Sequence, residues 1–66
     1  MQIAERKVNV PMFLSLTYPV RRAMYEFGRE NDLMEGDTVH AKIVGTTKDS
    51  DGWPMYVFQL TLCRED

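Results

Sequence analysis

Period-two alternation of apolar and polar residues marks three stretches of the chain, and a helical period marks one. Val8, Val10, Met12, Leu14 and Leu16 alternate with Asn9, Pro11, Phe13, Ser15 and Thr17. This is the pattern of a strand with one apolar face, spanning about 8–16. Pro11 has no N–H to give to a ladder, which places that strand at a sheet edge or puts a break in it. Phe13 is the one large apolar residue on the otherwise polar face. Val20, Ala23, Met24 and Phe27 then fall at i, i+3, i+4 and i+7 and predict an amphipathic helix over about 18–30. Thr17 is suited to cap it, and Pro19 suits a first turn where no N–H is needed. Gly28 and Asn31 both suit the left-handed position that ends a helix, so either is a candidate terminus.

Met34–Asp37 reads as a turn around Gly36. Beyond it Val39, Ala41 and Ile43 alternate with Thr38, His40 and Lys42, which predicts a strand over about 38–46. Lys48–Gly52 is a polar hairpin turn, and Tyr56, Phe58, Leu60 and Leu62 define a last strand over about 53–63. The expected fold is therefore one α+β domain over 1–66, of β-α-β-β order. Its three-stranded, mainly antiparallel sheet carries the single helix on one face. The expected core is Val10, Leu14, Leu16, Val20, Met24, Phe27, Val39, Ile43, Phe58 and Leu60. Met55 and Val57 oppose Tyr56 and Phe58, so both faces of the last hairpin are expected to meet something.

Size sharpens that expectation. A chain of 66 residues buries only about 60% of its unfolded surface, so it benefits from a staple. Cys63 is the one cysteine and His40 the one histidine, which leaves neither a disulfide within the chain nor a zinc cluster. Self-association is the remaining source of stability, and a homodimer is expected. No apolar run has the length of a membrane span and the first residues lack a signal-peptide core, so a cytoplasmic protein without membrane partners is expected.

The formal net charge of −2, from 10 acidic and 8 basic residues, argues against a conventional polybasic nucleic-acid binder. Its distribution is more telling. Tyr18, Arg21, Arg22, Tyr25 and Arg29 share one narrow sector of the helix, opposite the apolar stripe. Guanidinium and phenol groups side by side suit phosphate, a nucleobase or an acidic protein surface. With Phe13 they form the expected partner-binding set. Glu30, Asp32, Glu35 and Asp37 follow as an acidic segment, read chiefly as a solvated turn. Asp49-Ser50-Asp51-Gly52 resembles part of a calcium loop, but positions one and twelve fall on Thr47 and Phe58, so it reads as a turn. No nucleophile–base set, glycine-rich phosphate loop or catalytic carboxylate pair is discernible. No enzyme, no cofactor and no metal site is expected.

Two local motifs resemble known families. Lys7-Val8-Asn9-Val10-Pro11 with Leu33-Met34-Glu35-Gly36-Asp37-Thr38-Val39 resembles the core pattern of AbrB/MazE-type swapped-hairpin proteins, which implies a dimeric DNA-binding regulator or antitoxin. Met12-Phe13-Leu14-Ser15-Leu16 and the helix after it are similar to the start of a ribbon-helix-helix repressor. The chain departs from the first in the long stretch between Pro11 and Leu33, and from the second in having strands where another helix belongs. The function expected from the residues is a small non-catalytic binding protein. It would regulate or inhibit by occupying a host or regulatory protein, as phage and mobile-element inhibitors do. The alternative is a dimeric nucleic-acid-binding regulator of AbrB-like or ribbon type, or a nucleotide-binding module using the Arg/Tyr helix face.

Overall fold

A computed structural model describes residues 1–13 and 17–65. Strand β1 (Gln2–Pro11), helix α1 (Thr17–Glu30) and strands β2 (Asp37–Lys48) and β3 (Pro54–Arg64) follow one another. The sheet order is β1-β3-β2, and both pairings are antiparallel. This is the expected β-α-β-β domain, with the helix packed on one face of the sheet. The last strand in sequence is the central one, and the connection through α1 carries the chain across it.

β2 is longer than the alternation predicts, β1 lies closer to the amino terminus and β3 is shifted by one residue. β1 starts at Gln2 rather than near Val8, because its inward positions there hold Ala4 and Arg6, which give no apolar rhythm. Arg6 keeps its stem over the sheet while its guanidinium lies 5.6 Å from the centre of the Phe27 ring and pairs with Glu30. At its other end β1 stops at Pro11, followed by a Met12-Phe13 turn. Phe13 is therefore not a strand residue. The rest of the expected first strand, Leu14 to Leu16, lies outside the described residues, as do two expected core residues, Leu14 and Leu16.

The helix continues through Gly28 and ends at Glu30. Leu33 N–H donates to the Gly28 carbonyl (2.9 Å) and Asp32 N–H to that of Arg29 (3.3 Å), while Asp32 takes φ = 54°. These are the paired bonds of a Schellman terminus, with Asp32 in the left-handed position usually held by glycine. Asn31 adds a side-chain bond to the Phe27 carbonyl (2.8 Å). Of the two candidate termini, the one near Asn31 is found. Thr17, expected to cap the helix, is the first described helical residue.

Phe27, Leu60 and Leu62 form the fully buried centre, with Ala4, Val8, Ala23, Met24, Val39 and Ala41 packed around them. Val10 and Phe58 are also buried. Leu62, not among the expected core residues, is as buried as Leu60. Ile43, expected in the core, is 50% exposed. β2 is an edge strand whose register slips between Ile43 and Gly45, and Ala41 is its last side chain on the buried cluster. Pairing with β3 resumes at Gly45 and runs to Lys48, so Val44 is the extra residue of a bulge, and both it and Ile43 stay exposed on this edge strand. The hairpin closes through Asp49, whose carboxylate accepts the N–H groups of Asp51 and Trp53, both at 2.9 Å. Gly52 takes φ = 85° there, the left-handed place of a three-residue hairpin loop.

The ends of the three strands are tied together. Arg64 Nε donates to Asp37 Oδ1 (2.9 Å) and its Nη2 to Oδ2 (3.0 Å). Met34 N–H donates to the same carboxylate (3.0 Å), and Met1 and Arg64 exchange backbone bonds. Arg64, one residue beyond the expected last strand, is thus a strand residue that clasps β2 to β3. Arg64 and the Met34 amide hold the Asp37 carboxyl below its usual range.

Candidate functional site

Helix α1 positions the expected recognition residues through its own amphipathicity. Phe27 is fully buried against the sheet, which fixes the rotation of the helix, and Val20, Ala23 and Met24 stay partly covered beside it. The opposite sector then has to face outward. Tyr18 and Tyr25 are each 70% exposed, and Arg21, Arg22 and Arg29 are exposed with them. Five of the six expected site residues therefore share one solvent face.

Their electrostatics differ. Arg22 donates from Nε to Glu26 Oε1 at 3.1 Å, and Glu26, then Tyr18, raise its pKa so that it stays charged. Among the described residues Arg21 and Arg29 have no carboxylate partner. Arg29 occupies the last helical turn, where the macrodipole favours a cation. Arg21 has no such role within the fold. The face offers at least two guanidinium groups free to pair, flanked by two phenol rings whose hydroxyls and ring faces are accessible.

Phe13, the sixth expected residue, belongs to a different surface. It packs edge-on against Trp53, with ring centres 6.0 Å apart, where the β1 turn meets the hairpin loop and Met12 N–H bonds the Pro54 carbonyl. Both rings remain largely exposed, as do Ile43 and Val44 on β2. This patch was not legible in the chain, because the pair joins residues 40 positions apart through the β1–β3 register.

The acidic segment largely serves the fold. Glu30 pairs with Arg6, and Asp37 is clasped by Arg64 with its side chain only 1% exposed. Asp32 terminates the helix, which leaves Glu35 without a structural role. His40 stands opposite Thr61 on the sheet face away from the helix, and Cys63 is a partly buried strand residue. Among the described residues no three His, Cys, Asp or Glu side chains are grouped to hold a metal ion, and no helix is long and apolar enough to cross a membrane. Comparison with protein-family models, curated proteins and solved structures finds no match.

Proposed function

We propose that this protein is a non-catalytic binding module which, as a homodimer, regulates or inhibits a protein partner by laying the outer face of α1 against it. The observation that carries the reading is the exposure of Tyr18, Arg21, Arg22, Tyr25 and Arg29 on one face whose orientation is fixed by the burial of Phe27. Tyr and Arg are the side chains that most often dominate protein interfaces, since each combines a large contact area with directed polar groups. The complementary surface is acidic, with apolar or polar spots for the two phenols. Net acidity favours a protein over a polyanion, because a chain of charge −2 offers few phosphate contacts beyond this face.

A second reading, nucleic-acid or nucleotide binding, draws on the same guanidinium and phenol groups, which also suit phosphates and stacked bases. Salt separates the two. Phosphate binding releases counterions and weakens steeply as salt rises, whereas an interface that adds two tyrosine anchors to a few ion pairs weakens less. The test is affinity capture from the cells that make the protein, with wild type and the Arg21→Ala/Tyr25→Ala variant as baits. A protein retained in high salt by wild type and lost from the variant supports the reading. Nucleic acid released by salt supports the second one. Equal capture by both baits contradicts each.

A further inference from the structure

β1 is an edge strand of the sheet, and the charges along its free edge are self-complementary. Met12 N–H bonds the Pro54 carbonyl, and the β1–β3 register runs without a slip from Ala4 to Pro11. Even-numbered residues therefore aim their backbone groups at β3, and Glu5, Lys7 and Asn9 aim theirs outward. Along that edge Glu5 and Lys7 carry opposite charges on the sheet face away from the helix. Glu5 is held there by Gln59 Nε2, which donates to its carboxylate at 2.7 Å. Lys7 has no carboxylate partner among the described residues.

We propose that β1 pairs antiparallel with β1 of a second copy about a two-fold axis at Arg6, extending the sheet to six strands. This deepens the homodimer part of the proposed function by naming its interface. In this register Glu5 lies opposite the partner's Lys7, and by symmetry the pair occurs twice. Centring the axis on Lys7 or on Glu5 instead sets like charges against each other, so the alternation selects one register. The two Arg6 side chains meet at the axis, each already neutralised by Glu30 of its own helix and lying over Phe27. Beside them Ala4 faces the partner's Val8, and both belong to the layer packed on the buried cluster, so the apolar layer runs on across the join. The other free edge does not offer this. β2 carries the bulge after Ile43, and from Thr38 to Thr47 its only titratable residues are His40 and Lys42, with no acid to match them.

Sedimentation equilibrium on three proteins tests the interface, with circular dichroism confirming that each is folded. Wild type is expected to be dimeric. Lys7→Glu, which sets two carboxylate pairs against each other, is expected to weaken association by about tenfold or more. Glu5→Lys/Lys7→Glu restores the opposite-charge pairs and is expected to recover the dimer. A wild-type monomer removes the homodimer and this interface together. A wild-type dimer unmoved by Lys7→Glu, or one not recovered in the double variant, removes this interface alone. Cross-linking gives a reading that does not depend on charge. In a Cys63→Ser background, Arg6→Cys places two thiols across a non-hydrogen-bonded pair, where Cα atoms about 4.5 Å apart allow a disulfide. A reducible dimer from Arg6→Cys and none from Asn9→Cys is the expected result, and the opposite pattern overturns the register.

Discussion

At the scale of single residues, one ring, one aliphatic side chain and one carboxylate show how local chemistry sets this fold. Phe27 is fully buried and carries the helix onto the sheet, so Phe27→Ala should destabilise by about 3–5 kcal/mol. Ile43→Ala should lose about 1 kcal/mol or less, because half of that side chain already meets solvent. Denaturant midpoints for the two variants measure the contrast; equal losses would mean that Ile43 is packed as deeply as Phe27. Asp37 gives a pH dependence. Its folded pKa is depressed, first by Arg64 and then by the Met34 amide, so the stabilisation is present above the unfolded pKa of about 3.9 and is lost as pH falls through the folded value. Asp37→Asn should therefore be less stable than wild type near neutral pH and should lose less on acidification. Parallel curves down the acid limb would contradict the clasp. The clasp itself was hidden in the chain, because Asp37 reaches Arg64 only through a register shifted by the bulge.

At the scale of elements, periodicity was legible wherever apolar residues filled the inward positions. The i, i+3, i+4, i+7 set in α1 and the alternation from Tyr56 to Leu62 correctly assigned the helix-facing sides. It was silent over Gln2–Lys7, where Ala4 and the stem of Arg6 replace large apolar side chains and leave no rhythm. The helix terminus was ambiguous because Gly28 and Asn31 both satisfy a sequence rule that only backbone geometry decides. Gly28 lies inside the helix, and a Cβ there meets Leu33 and Val39 at 3.5–3.7 Å, an ordinary contact distance. Gly28→Ala should thus raise stability by about 0.5–1 kcal/mol through helix propensity and reduced unfolded-state freedom. Asp32 holds the left-handed position instead, and Asp32→Gly should stabilise by up to about 1 kcal/mol. Thermal melts check both, and a loss on Gly28→Ala would return the terminus to Gly28.

At the scale of the whole molecule, the shape is elongated. The radius of gyration is 12.8 Å and the extents are 42 × 19 × 15 Å, whereas a compact chain of this length has a radius of about 11 Å. The excess comes from long β-strands that one 14-residue helix covers only in part, so the hairpin tip with Trp53 and the Phe13 ring extends beyond the buried cluster. The surfaces left open differ in chemistry: guanidinium and phenol groups on α1, opposite charges along the β1 edge, an aromatic pair at the hairpin. The central claim concerns the first of these. Its most direct test is an amide and side-chain NMR titration of the labelled protein with the partner recovered by capture. Shifts and broadening centred on Tyr18, Arg21, Arg22, Tyr25 and Arg29 are the predicted result. Perturbations confined to Phe13, Trp53 and the hairpin, with the α1 face unchanged, would contradict it.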